Sequence, residues 1–261
     1  MSTLIVNGIK YYYEYKRNAD KPVLVFVNSL GSDLSIWNDV FEYLKHDFSI
    51  LRYDKPGHGK SSPQLKYYSI RQFAMDLNEI IKHLNIESLA MVGISIGGQI
   101  AMEYALHYEQ RVTCLIVSNT ALKIGNKKFW DDRVCSLMNE GLDKSSSSLV
   151  SRWFSEAFIQ RHPKASKHYR SMIANTELLS YLFACEAIGE ENLEYKISAL
   201  DVPMLCIGST NDISTPIEEL VKITRLNKKA EYRQLDGPGH LSCIEQGSLF
   251  AELIRNFVDH E

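Results

Sequence analysis

Residues 89–98 read Leu-Ala-Met-Val-Gly-Ile-Ser-Ile-Gly-Gly, and the chain runs on to Tyr108 without a helix breaker. An apolar run, Leu89–Val92, suits a strand buried on both faces. The segment from about Gly97 to Tyr108 suits a helix. Between them sits Gly93-Ile94-Ser95-Ile96-Gly97, a G-x-S-x-G pattern at a strand-to-helix turn. The physics of such a turn is specific. The serine occupies a tight, strained bend and its hydroxyl stands clear of the sheet edge. Glycines two positions before and after it remove side chains that would collide, and Gly98 permits close packing of helix on strand. The N-terminus of the following helix offers unpaired N–H groups and partial positive charge, which suit a developing oxyanion. Ser95 is therefore the candidate nucleophile.

Outward from this turn the same alternation recurs. Val23–Val27, Phe48–Tyr53, Val112–Ser118, Met204–Ile207 and Glu231–Leu235 read as further strands. Leu4–Val6 and Tyr11–Tyr15 flank Asn7-Gly8, a hairpin signal. Ile70, Phe73, Ala74, Leu77, Ile80, Ile81 and Leu84 share one helical face, as do Leu249, Phe250, Leu253, Ile254 and Phe257. Strands alternating with helices predict an α/β fold with a mostly parallel sheet. The alternation stops after Asn119. From about Leu122 to Lys196 the chain carries charge and aromatics without a buried strand. It reads as several short helices, with Ser145–Ser148 as a loop or a helix start. The expected organisation is a core of residues 1–121 and 197–261, with residues 122–196 inserted as a helical cap.

A serine nucleophile needs a base and an orienting acid, in the chain order Ser, Asp or Glu, His on such a sheet. Of the eight histidines, His240 follows the strand candidate Glu231–Leu235 in Asp236-Gly237-Pro238-Gly239-His240. That is the C-terminal end of a strand, where open α/β sheets bind ligands. Asp212 follows Met204–Ile207 in the same way. Thr215-Pro216 looks like a helix start, with Thr215 as its cap and Asp212 left free to meet His240. Asp236 is the rival acid, but it lies close to His240 in sequence. The oxyanion hole is expected from the N–H of Ile96 and that of Leu30, in the Asn28-Ser29-Leu30-Gly31 turn. His58, in Asp54-Lys55-Pro56-Gly57-His58-Gly59-Lys60-Ser61, sits among turn formers and is assigned a structural role.

Bulk properties narrow the partners. A net charge of −3 gives no reason to expect nucleic acid or an acidic membrane surface. No apolar run approaches the roughly 20 residues a membrane span needs. The five cysteines are scattered without a C-x-x-C pair, which argues against a disulfide framework or zinc site and fits a reducing compartment. No basic segment followed by an apolar one opens the chain, so a cytoplasmic location is expected. No metal or organic cofactor is implied.

Together these residues resemble the α/β-hydrolase superfamily, and within it the 3-oxoadipate enol-lactonases. The features behind the closer resemblance are the Asn28–Gly31 turn with Trp37 after it, the Asp54–Ser61 segment, the Ser95 elbow, Trp130 with Arg133, Arg152-Trp153-Phe154, and Asp212 with Thr215-Pro216 and His240. Gly237-Pro238-Gly239 departs from the small, alanine-containing run expected before the histidine, and the insertion has serine and lysine where alanine is commoner. The resemblance implies an eight-stranded, mostly parallel sheet flanked by helices. It also implies hydrolysis of a small anionic lactone, 3-oxoadipate enol-lactone, by a monomer or homodimer. Arg133 is then the candidate for the substrate carboxylate, the alternative being a surface salt bridge with Asp131 or Glu140. Trp130 and Trp153 wall the pocket or pack the insertion on the sheet, and Arg152 is left pointing to solvent. A general carboxylesterase, a carbon–carbon bond hydrolase and a small-molecule receptor on the same scaffold are the other readings.

Overall fold

The computed structural model describes residues 2–260; the outermost residues of the expected core, 1 and 261, lie outside them. The chain opens with the hairpin β1 (Ser2–Val6) and β2 (Ile9–Lys16), then runs β3 (Val23–Val27), α1 (Asn38–Leu44), β4 (Ser49–Tyr53) and α2 (Ile70–His83). Next come β5 (Leu89–Ile94), α3 (Ile96–Tyr108) and β6 (Val112–Ser118). Four helices follow: α4 (Lys127–Val150), α5 (Glu156–Arg161), α6 (Pro163–Ala174) and α7 (Leu178–Glu190). The sheet resumes with β7 (Met204–Ser209), α8 (Ile217–Leu226) and β8 (Ala230–Leu235). Two last helices, α9 (Ser242–Glu245) and α10 (Gly247–Val258), close the described chain.

The eight strands form one sheet in the order β1-β2-β4-β3-β5-β6-β7-β8. β1–β2 and β2–β4 pair antiparallel; every other neighbour is parallel. The central strands are buried along almost their whole length, which is why they read as unbroken apolar runs rather than as alternation. β3 lies between β4 and β5, so the chain leaves it in one direction and returns on the other side. The turns after β3 and β5 thus share a crevice at the C-terminal edge, a topological switch point. The ends of β6, β7 and β8 lie along the same edge.

The Ser95 turn explains its own glycines. A Cβ on Gly93 would stand 2.2 Å from the carbonyl oxygen of Gly97, and one on Gly97 would stand 2.1 Å from that of Val27. Both obstacles are backbone, so neither can swing aside. Gly97→Ala is expected to cost about 3 kcal/mol and lower the thermal midpoint by about 10 °C, as read by scanning calorimetry. An unchanged midpoint would mean that α3 can slide off β3 freely.

Of the two readings of the serine-rich run, the helix start holds. α4 breaks at Gly141, and Ser145–Ser148 lies in the first turns of the helical stretch that resumes after it. The hydroxyls of Ser146 and Ser148 bond carbonyls three residues back, at 2.7 and 2.9 Å, and so stay satisfied within the helix. Among the described residues, no helix is long and apolar enough to cross a membrane.

Candidate active site

Ser95 sits between β5 and α3 with φ 60° and ψ −125°. A non-glycine residue in this region is strained by roughly 1–3 kcal/mol, and the buried strand and helix on either side enforce it. The N–H of Ile96 opens α3. Neither it nor the N–H of Leu30 donates to a backbone partner among the described residues. The Leu30 turn is built firmly. Asn28 donates to the carbonyl of Tyr53 at 2.8 Å and accepts from the Trp37 indole at 2.8 Å. The buried Lys55 ammonium donates to the carbonyls of Asn28 and Ser29 at 3.1 and 2.9 Å. Burial pulls that amine down to about 7, against the opposing charges of Asp54 and Asp33. His58 is also buried. It bonds the Pro56 carbonyl, and burial and the Lys55 charge push its ring down to about 3. It is a neutral structural histidine.

His240 Nδ1 stands 2.9 Å from Asp212 Oδ2, with both residues buried. An ionised carboxylate only accepts, so Nδ1 carries the proton and Nε2 is the free nitrogen. Asp212 is densely held. Its Oδ1 accepts from the N–H groups of Ser214 and Thr215 at 2.8 and 3.2 Å. Its Oδ2 accepts from Thr215 Oγ1 at 2.6 Å and Asn119 Nδ2 at 2.9 Å, besides the histidine. Burial pushes this carboxyl up. The charge of His240 and the bonds from His240, Thr215 and Asn119 together outweigh burial and hold it at about 2. Thr215 therefore does not cap α8, whose N-terminus has no side-chain cap; its hydroxyl is turned onto Asp212. Asp212 serves the loop turn and the histidine at once: Oδ1 takes the two turn N–H groups, and Oδ2 takes the histidine together with Thr215 Oγ1 and Asn119. Asp236 is exposed, and its carboxylate accepts from Gln234.

The loop bearing His240 is stitched to the inserted helices. Gly239 N–H and Ser155 N–H both donate to Glu245 Oε1, at 2.9 and 2.8 Å, and Ser155 Oγ donates to Oε2 at 2.6 Å. Leu241 N–H donates to the carbonyl of Trp153 at 2.9 Å. A Cβ on Gly239 would stand 2.8 Å from the backbone of Phe154 and Ser155. The glycine before the histidine is thus required by the insertion, not by the turn alone.

A cavity of about 250 Å³ opens between the sheet edge and the insertion, lined by Leu30, Ser95 and His240 on one side and by Trp130, Arg133, Arg152 and Trp153 on the other. The alternative for Arg133 fails: Asp131 pairs with Lys127, and Glu140 accepts from Ser145. Its guanidinium instead lies 5.4 Å from the ring centre of Trp130 and 5.6 Å from that of Phe129. Arg152 does not simply face solvent. It lines the same cavity, and burial, then the charge of Arg133, lower its pKa against the pull of Asp212. Among the described residues neither arginine forms an ion pair. The sequence reading leaves Arg152 facing solvent, although Arg152-Trp153-Phe154 is among the resembling features, and it gives Lys55, Glu245 and Asn119 no role. Asn119 does leave a signal: asparagine favours positive φ, and the strand pattern stops there.

Residues 22–246 match the family model described as alpha/beta hydrolase fold. The chain is 29% identical over 248 residues, 95% of its length and 92% of the relative's, to 3-oxoadipate enol-lactonase 2 of Acinetobacter baylyi. It is 29% identical over 91% of its length to 3-oxoadipate enol-lactonase 1 of the same organism, covering 88% of that protein. The crystal structure of the enol-lactonase from Burkholderia xenovorans LB400 superposes with a TM-score of 0.95 at 28% identity, over 99% of this chain and all of that one. Sheet order, strained elbow and family match converge: the chain belongs to the alpha/beta hydrolase family and is a carboxylic ester hydrolase.

Proposed function

We propose that this hydrolase opens 3-oxoadipate enol-lactone to 3-oxoadipate through an acyl-serine intermediate. The observation that carries the reading is the pair of guanidinium groups, Arg133 and Arg152, without carboxylate partners in the cavity that holds Ser95 and His240. Two unneutralised cations in one small cavity repel each other and await an anion. A carboxylate meets a guanidinium bidentately, and two half-buried cations in one cavity bind an acid far better than a neutral ester. The enol-lactonase relatives support the choice of lactone.

The proposed steps use Ser95, His240 and Asp212 as a triad. Ser95 Oγ attacks the lactone carbonyl and passes its proton to His240 Nε2. The N–H groups of Leu30 and Ile96 receive the oxyanion. The ring C–O bond breaks, the enol oxygen takes the proton back from His240, and the enol becomes a ketone. Water, deprotonated by His240, then cleaves the acyl-serine and releases the second carboxylate. Asp212 holds Nδ1–H throughout and stabilises the imidazolium. Trp130 and Trp153 wall the cavity beside the arginines.

The test is turnover of enzymatically generated lactone, followed by loss of ultraviolet absorbance. Arg133→Ala and Arg152→Ala should each act mainly on KM, and the double variant should lose about 100-fold or more in kcat/KM. Neutral p-nitrophenyl acetate should be cleaved by the same variants within about threefold of wild type. Brisk ester cleavage with no lactone turnover would sink the substrate, and tight lactone binding without turnover would make the chain a receptor.

A further inference from the structure

Asn119 lies just past the end of β6, fully buried, with φ 45°. Left-handed backbone at a non-glycine residue persists only where the surroundings insist on it, and asparagine and aspartate tolerate it best. Here the surroundings are the side-chain amide's own partners. Its Oδ1 accepts from Ser118 Oγ at 2.7 Å, Ser242 Oγ at 2.9 Å and Ser209 Oγ at 3.3 Å. Its Nδ2 donates to Asp212 Oδ2 at 2.9 Å. The main-chain N–H donates to the carbonyl of Ile207 at 3.0 Å.

The amide has only one sensible orientation. Three hydroxyls can donate to its oxygen, while an ionised carboxylate can only accept, so the nitrogen must face Asp212. The residue ties together three segments that are far apart in sequence: the end of β6, the Asp212 loop after β7, and the first turn of α9, two residues beyond His240. Asp212 Oδ2 is the oxygen that meets His240, and Asn119 and Thr215 fix its lone pairs from the other sides.

We propose that Asn119 is the positioning residue of the catalytic triad, aiming Asp212 Oδ2 at His240 Nδ1 and locking the acid and base segments to each other. The inference rests on the reading of Ser95, Asp212 and His240 as that triad. Asn119 touches no substrate; it is absent from the cavity lining.

Two substitutions separate this role from bulk packing. Asn119→Asp has nearly the same shape, tolerates the same φ, and leaves the serine hydroxyls an acceptor. Only the atom facing Asp212 changes, from donor to carboxylate oxygen. Asn119→Gly keeps the backbone and its N–H bond to Ile207 and removes every side-chain bond. The charged or titratable groups that face Asp212 are His240, from the loop before α9, and Arg152, from the segment after α4; the rest of its shell is neutral. Two carboxylates 2.9 Å apart share a proton and cannot both ionise easily.

In full-length enzyme, both variants should lower kcat by about 10- to 100-fold with KM within about twofold. Asn119→Asp should stay folded with a thermal midpoint lowered by about 5 °C, and should move the acid limb of the kcat/KM profile to higher pH, because an added acid beside Asp212 keeps the pair and the imidazole protonated longer. The far-downfield proton resonance of the His240–Asp212 bond should shift or vanish in both. If Ser95→Ala is inactive while either folded variant keeps wild-type kcat, an unmoved acid limb and an unmoved resonance, the positioning role is wrong. If Ser95→Ala itself turns over substrate, the triad reading falls and takes this inference with it.

Discussion

Ser95→Ala is expected to lower lactone kcat/KM by at least about 10⁴-fold, with the fold intact. Removing the oxygen abolishes the acyl intermediate and leaves only the cavity's binding and the N–H groups of Leu30 and Ile96. Alanine also relieves nothing. The φ of 60° at position 95 is imposed by Gly93 and Gly97 packing backbone to backbone, so a shorter side chain inherits the same strain. Steady-state kinetics at substrate well below KM, with circular dichroism beside it, check the result. Residual activity above about a hundredth of wild type would mean that water is activated directly by His240.

Asp212→Asn comes next in size, at about 10⁴-fold in kcat. The amide keeps the shape and inverts the hydrogen bonding. Every group around the carboxylate donates to it: Ser214 N–H, Thr215 N–H, Thr215 Oγ, Asn119 Nδ2 and the His240 ring. An asparagine NH₂ on either side meets donors, and on the Oδ2 side it turns His240 into the wrong tautomer. Stability falls as well, and the fall depends on pH. The carboxyl is held at about 2, below its ordinary 3.8. A depressed acid contributes stability that is fully present above the unfolded value and is lost as pH drops through the folded one. That contribution is about 2 kcal/mol. The stability gap between wild type and variant in urea should therefore be widest above about pH 5 and should narrow steadily toward pH 2. A gap that stays constant over that range would show that Asp212 is not ionised in the folded protein.

Much of this site was legible in the chain because its carriers are strand ends. An unbroken apolar run names a buried parallel strand. The residues just past Val27, Ile94, Ile207 and Leu235 must then crowd one edge, which draws Leu30, Ser95, Asp212 and His240 into one neighbourhood without any knowledge of side-chain geometry. What stayed hidden depends on contacts between distant segments. Thr215 has the sequence of a helix cap, and only the approach of Asp212 claims its hydroxyl. Arg152 reads as a solvent-facing charge until it is seen to line the cavity. Ser145–Ser148 reads equally as a loop or a helix start because serine is a weak helix former, and bonds to carbonyls one turn back are what make it helical. Asn119 shows in sequence only as the place where strand alternation ends; its three serine donors come from residues 118, 209 and 242.

The stitching of Gly239, Leu241 and Glu245 to Trp153 and Ser155 sets where this protein can be recombined. The insertion looks like an exchangeable module, framed by β6 and β7. It is not one, because the middle of that module holds the base in place. A chimera that imports a foreign insertion at those frame points would bring a new wall for the cavity and misalign its own histidine. Breeding altered selectivity into this scaffold therefore calls for breakpoints that carry residues 153–155 and 239–245 together from one parent.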